Sequence, residues 1–277
     1  MVTRPDRRAQ LGQWYTAAPV AELAIAALGG VTGMRVLDPT CGDGAFLAAA
    51  HGAGATALAG IEIDADAAAH ARTRVPSARI VVGDVLAPGS GVAGQTFDVV
   101  VGNPPYVRAG RIDPAVKRAR AAVLATDWPT LDGDVIDAIA RHADVAATCL
   151  LRALHFVRPG GRLALVMSTA LLDADGASAL WTAVARIARV EALIAAPAER
   201  WFAEAAVNSM LLVARRHDGL PTTNASPRIL RLTTPTREVV GSARTLEDIA
   251  RFAEERATSP DPASRCAMAS APPTGRR

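Results

Sequence analysis

The chain has 277 residues, half of them apolar, with a mass of 28.7 kDa, a mean hydropathy of +0.19, a net charge of +3 and a pI near 9.1. That is length for one large domain with a sizeable core plus a small appendage, and the mild positive charge is only weak support for a polyanionic partner. No stretch reaches the roughly 18 uncharged apolar residues of a membrane span. The start, MVTRPDRRAQLGQWYT, has no apolar signal core. The cysteines Cys41, Cys149 and Cys266 are odd in number and lack metal-ligand spacing, so no disulfide framework and no metal site are expected, and the location is read as cytoplasmic.

Apolar runs bounded by Gly, Pro and Asp alternate with Ala-rich helical stretches from about residue 18 to 214. Val20–Leu28 reads as a helix stopped by Gly29-Gly30, Arg35–Asp38 as a first strand, and Ala45–Ala50 as the start of a helix behind a glycine turn. Leu58–Ile63 is the second strand, Ala65–Arg74 a helix, Arg79–Val82 the third strand and Phe97–Val101 the fourth. Val107–Val135, with Pro114, Pro129 and scattered Gly and Asp, reads as a long basic loop. Asp144–Phe156 is a helix closed by Arg158-Pro159-Gly160-Gly161. Arg162–Met167, Val190–Ala195 and Ser209–Ala214 complete seven strands, with a helix at Ala177–Ile187. Unbroken apolar strands fit a sheet covered on both faces. The expected fold is therefore α/β, a Rossmann-like, seven-stranded, mostly parallel sheet with helices on both sides. Beyond Arg215 the rhythm is lost, and Ala257–Arg277, rich in Pro, Ser and Ala, is expected to be disordered.

Three carboxylates end three successive strands: Asp38, Glu62 and Asp84. That edge is where open α/β sheets bind ligands. Between the first two lies Asp38-Pro39-Thr40-Cys41-Gly42-Asp43-Gly44, in which Gly42 and Gly44 let the backbone approach a ligand. Glu62, 18 positions beyond Gly44, suits a ribose diol, and Asp84 can accept from an adenine amino group. Acids in the turn would repel a dinucleotide's phosphates, and the pattern is not G-x-G-x-x-G. A cationic adenosine cofactor is favoured over a nicotinamide one.

Phe97–Val101 runs straight into Gly102-Asn103-Pro104-Pro105-Tyr106. Two prolines stiffen the backbone and aim the Pro104 carbonyl, while the Asn103 amide supplies a second acceptor. Together they can accept both hydrogens of a planar amino group and turn its lone pair toward a methyl sulfonium. Tyr106 offers a flat surface for a planar substrate.

These motifs, in this order over roughly residues 10–214, resemble the γ-type amino-group (N6-adenine) DNA methyltransferases, close to methylase domains of the Eco57I and TaqI type. The resemblance implies the class I S-adenosylmethionine-dependent methyltransferase fold, S-adenosyl-L-methionine as cofactor and DNA as partner. It divides the chain into a basic arm (1–12), a catalytic domain (13–216) and a short C-terminal appendage (217–277). Gly12-Gln13-Trp14-Tyr15-Thr16 resembles the N-terminal cofactor motif, with Thr16 as the contact, although Thr16-Ala17-Ala18-Pro19 stands where relatives have Thr-Pro. By the same resemblance Asp38, Gly42, Gly44, Glu62, Ile63, Asp84 and Val85 bind the cofactor, Ile63 packing on its adenine ring. Asn103, Pro104, Pro105 and Tyr106 form the catalytic tetrapeptide. The late segment from Arg200 to Met210 implies Phe202 as an aromatic that, with Tyr106, holds a base flipped from the duplex.

Transfer would be direct, without a covalent enzyme intermediate. Arg108, Arg111, Lys117, Arg118 and Arg120 are candidate phosphate contacts. About 60 residues after Ala214 are few for a target-recognition domain, so three readings stay open: another subunit reads the sequence, the chain is a truncated or split methylase, or specificity is low; a separate specificity subunit or a linked restriction endonuclease is the expected partner. Two alternatives stay open: an N-methyltransferase for a protein glutamine or an RNA amino group, and a non-catalytic DNA- or partner-binding subunit that keeps the fold.

Overall fold

The structure, a computed structural model, describes residues 15–92, 94–107, 110, 112–173, 177–197, 199–202, 208–219 and 226–256. The arm 1–12, Gly12 to Trp14, Arg108, Arg111, residues 203–207, Cys266 and the tail 257–277 lie outside the described residues.

In chain order the elements are α1 (Ala18–Ala27), β1 (Arg35–Asp38), α2 (Ala45–Gly52), β2 (Ala57–Glu62), α3 (Ala65–Arg74), β3 (Arg79–Val82) and β4 (Phe97–Gly102). Then come α4 (Pro114–Asp127), α5 (Gly133–His142), α6 (Val145–Phe156), β5 (Val157–Ser168), α7 (Ala177–Ile187), β6 (Ala188–Ala195) and β7 (Ser209–Arg216). The last are β8 (Arg228–Leu232), α8 (Thr236–Ser242), α9 (Leu246–Ala250) and β9 (Ala253–Arg256).

One sheet carries them in the order β3-β2-β1-β4-β5-β7-β6-β8-β9. β1 pairs parallel with both β2 and β4, and β4 pairs parallel with β5. β7 inserts antiparallel between β5 and β6. The α/β class and the seven expected strands are all present. Two further strands continue the sheet where no rhythm is visible in the sequence: β8 parallel on β6, then β9 antiparallel on β8.

Alternation of side chains explains why the strands read as unbroken apolar runs. In β1, Val36 faces a core shared with α1, α2 and α3, while Leu37 faces a core shared with α4 to α7. In β4, Val99 and Val101 join the first core and Val100 the second. Both faces are buried, so polar alternation has no place. At about 25 cal/mol per Å² of apolar surface, each such Val or Leu is worth about 1.5–3 kcal/mol of burial.

The loop expected at 107–135 is largely helical. Pro114 and Gly133 stand at the first helical position of α4 and α5. Asp113 caps α4, its side chain accepting from Ala115 N at 2.7 Å. Proline costs nothing there, because its missing N–H would have no partner anyway. Ile136, Ile139 and Ala140 give α5 a buried stripe at helical spacing. The polar composition hides α4, which buries only Val123 and Leu124.

Arg152 of α6 ties this helical layer to the sheet edge. It is buried, pairs with Asp127 at the end of α4, and donates from Nε to the Val85 carbonyl at 3.1 Å. On the other face the C-terminal elements brace the loop before β7. Trp201 Nε1 donates to Thr236 Oγ1 at 2.9 Å, and Glu199 accepts from both the amide and the hydroxyl of Thr236.

Candidate active site

The C-terminal ends of β1, β2, β3 and β4 meet at one cleft of about 330 Å³. At the end of β1 the chain passes through Asp38 and Thr40 and turns at Gly42 and Gly44 into α2. Both glycines have left-handed φ, +53° and +86°, and a Cβ on Gly44 would press within 3.2 Å of Ala71 in α3. Gly42 faces the cleft, with the Tyr15 ring laid across it so that a Cβ there would sit 3.7 Å from the ring. Gly44 instead sets the packing of α2 on α3.

Glu62 holds the glycine turn in place. Its Oε2 accepts from Gly42 N and its Oε1 from Asp64 N, each at 2.8 Å, and it is only 5% exposed. Ile63 beside it is half exposed on the cleft wall. Asp84 lines the cleft too, its Oδ1 accepting from Leu86 N at 2.8 Å, with Val85 next to it.

Asp38 differs: it is fully buried beneath the cleft, its Oδ1 accepting from Thr40 N at 3.0 Å. A Cβ on Gly102 would come within 2.6 Å of that oxygen, so only glycine ends β4 there. Asp38 Oδ2 and Thr40 Oγ1 are buried without a hydrogen-bond partner. Burial raises the Asp38 carboxyl well above its usual value, and neighbouring Glu62 and Asp43 add to the effect. Burial likewise pushes the Cys41 thiol far up, reinforced by Asp38 and Glu62, so it stays an inert thiol.

Asn103 sits on the cleft wall with Pro105. Its Nδ2 donates to Thr16 Oγ1 at 3.3 Å, which fixes the amide and joins the N-terminal segment to the tetrapeptide. The Tyr106 hydroxyl donates to Asn103 Oδ1 at 2.8 Å, with the Val166 carbonyl a second acceptor at 3.2 Å. Burial raises the Tyr106 phenol, which keeps it protonated and a donor. Pro104 is buried. Tyr106 and Phe202 meet edge to face, centroids 6.4 Å apart and planes at 76°, with Phe202 only 5% exposed. They do not stand as two parallel walls around a gap, and neither is among the cleft's lining residues.

Half of the cleft comes from residues with no sequence motif. Ile112, Val116 and Arg120, four apart along α4 and its approach, and Val145 and Cys149, four apart on α6, line the same cleft as Ile63 and Asp84. That spacing was the available signal, masked by reading the segment as loop. The basic run after Tyr106 divides accordingly. Lys117 donates to the Arg141 carbonyl at 2.9 Å and Arg118 is exposed, but Arg120 turns into the cleft.

Residues 5–226 match the model of a protein family described as N-6 DNA methylase. A type II methyltransferase, M.TthHB8I of Thermus thermophilus, is 32% identical over 165 residues, which are 57% of this chain and 35% of that protein. Among solved structures, the type IIG restriction endonuclease BpuSI superposes with a TM-score of 0.65 at 21% identity, over 89% of this chain and 29% of that one. A provisionally assigned class I S-adenosylmethionine-dependent methyltransferase from Listeria monocytogenes superposes with a TM-score of 0.58 at 17% identity, over 78% and 63%. The fold is that of the class I S-adenosylmethionine-dependent methyltransferases. The chain spans about a third of the length of the curated relative it matches.

Proposed function

We propose that this chain, which belongs to the N-6 DNA methylase family, transfers a methyl group from S-adenosyl-L-methionine to N6 of an adenine flipped out of DNA. The observation that carries the reading is Asn103: its amide is fixed by Thr16 and Tyr106 at the wall of a cleft lined by Glu62 and Asp84. The family's type II relative and its resemblance to this chain support DNA over other acceptors.

The residues fit the cofactor. A cleft of about 330 Å³ lies in the size range of small-molecule sites. The partnerless oxygens of Asp38 and Thr40 suit an ammonium group, Glu62 a ribose diol, and Asp84, Val85 and Ile63 a purine. Bound there, the cofactor supplies an electrophilic methyl on a sulfonium. The chain's own part is positioning: Asn103 Oδ1 and the Pro104 carbonyl accept the two hydrogens of the target amine, which leaves its lone pair for in-line attack. In the described state the Tyr106 hydroxyl takes one of the two acceptor positions of Asn103 Oδ1, and the second is the one assigned to the target amine. Phe202, in edge contact with Tyr106, is the second aromatic on offer.

DNA is the proposed partner, with a separate specificity subunit or a linked restriction endonuclease as a further partner of the complex. A restriction-modification setting and a cytoplasmic location belong to the same proposal. Among the described residues no helix is long and apolar enough to cross a membrane. The test offers labelled S-adenosylmethionine with duplex DNA, single-stranded DNA, RNA and a protein extract, followed by mass spectrometry. N6-methyladenine in DNA is expected. Label confined to RNA or to protein glutamine would overturn the DNA assignment while keeping the amino-transfer chemistry.

A further inference from the structure

Arg120 is the cleft residue that its surroundings do not explain. It sits near the middle of α4 with its side chain in the cleft wall, and its Nε and Nη1 are buried without a hydrogen-bond partner. No carboxylate lies within ion-pairing distance of it among the described residues, although Asp84 and Asp113 line the same cleft. Each orphaned buried donor costs about 1–3 kcal/mol, so a pair of them on one side chain marks a place where a ligand atom belongs.

The position within the cleft narrows the ligand. Arg120, Asp84 and Cys149 line one cleft, and the Arg120 and Asp84 charges act on the buried Cys149 thiol in opposite directions. Half-exposed Ile63 lines the same cleft and offers an aliphatic surface. An acceptor carboxylate, an aliphatic wall and a guanidinium with free N–H groups together complement a planar ring bearing an amino donor and a ring-nitrogen acceptor.

Resting on the cofactor reading above, we infer that Arg120 is a cofactor-binding residue that donates a hydrogen bond to a ring nitrogen of the cofactor's purine, opposite Asp84 at its amino group. A helix outside the sheet-edge motifs thereby closes the purine end of the site.

The test is calorimetric binding of S-adenosylhomocysteine and of methylthioadenosine, which lacks the amino-acid end, to the full chain and to R120A, R120M and R120K. Loss of a hydrogen bond from a charged donor predicts affinity lower by about tenfold or more in the Ala and Met variants for both ligands. Lysine, which keeps a charged donor, recovers part of the loss. Methionine binding as well as arginine would show that Arg120 only fills space and would overturn the proposal, as would unchanged affinity in R120A. Loss confined to S-adenosylhomocysteine would place Arg120 at the amino-acid end and overturn it equally. If the unaltered chain binds neither ligand, the cofactor reading itself falls; binding by the unaltered chain with unaltered variants removes only the role of Arg120.

Discussion

Replacing Glu62 by glutamine separates the two tasks this carboxylate performs. In the fold, one oxygen accepts from Gly42 N and the other from Asp64 N, both at 2.8 Å and almost without solvent access. A glutamine keeps the shape but has one acceptor oxygen, so in either orientation its NH2 faces one of the two backbone N–H groups. A hydrogen bond to a charged acceptor contributes about 1.5–3 kcal/mol, and the variant loses one of the two. The expected loss is about 2–3 kcal/mol, or about 4–9 °C in melting temperature for a chain of this size. In the proposed site the variant also loses one acceptor for the ribose diol, so affinity for S-adenosylhomocysteine falls by about tenfold to a hundredfold. Thermal denaturation of the ligand-free protein and calorimetry measure the two separately. A melting temperature unchanged from the parent would refute the stapling of the glycine turn, and unchanged affinity would refute the ribose contact.

Four other perturbations follow from the same geometry. Asn103→Ala is expected to lower the transfer rate by about a hundredfold or more while cofactor affinity holds, since it removes an acceptor for the target amine; a variant that loses cofactor binding but keeps its turnover would contradict the assignment. Tyr106→Phe removes the hydroxyl that occupies Asn103 Oδ1 and keeps the ring, so turnover is expected to be retained, whereas Tyr106→Ala loses the stacking surface and slows; equal loss in both would give the hydroxyl a chemical role.

Asp38→Asn tests the buried carboxyl beneath the cleft. Because its folded value is raised by burial, the fold takes up a proton that the unfolded chain does not, and this group's contribution to stability grows as pH falls from neutral toward the ordinary carboxylate value. Between pH 7.5 and 5.5 the parent's melting temperature is therefore expected to rise relative to the Asn variant's, and parallel profiles would rule this out. Arg152→Met strands Asp127 in the interior and frees the Val85 carbonyl, at an expected cost of about 3–5 kcal/mol by chemical denaturation; a loss within the scatter of surface mutations would show the pair to be dispensable.

Much of this protein is legible in one dimension. The strands, three acids at successive strand ends and the Asn103–Tyr106 tetrapeptide are local patterns, each determined by neighbours within a dozen residues. Unbroken apolar strands require two covered faces, and the fold delivers them through Val36 and Leu37 on opposite sides of β1. What the tertiary structure alone decided are the relations among distant segments. Pro114 and Gly133 read as punctuation because composition does not say which side of a breaker the helix lies on; the Asp113 cap and the burial of Ile136 and Ile139 settle it. β8, apolar at Ile229, Leu230 and Leu232 but isolated from any strand–helix rhythm, and the charged β9 join the sheet because β6 offers an open edge. Equally, no local pattern could reveal that Asp38 is buried while Glu62 lines the cleft, or that Tyr106 turns its hydroxyl onto Asn103. Each depends on which side chains from elsewhere in the chain fill the surrounding space, and packing of that kind is a property of the assembled sheet and its two helical layers.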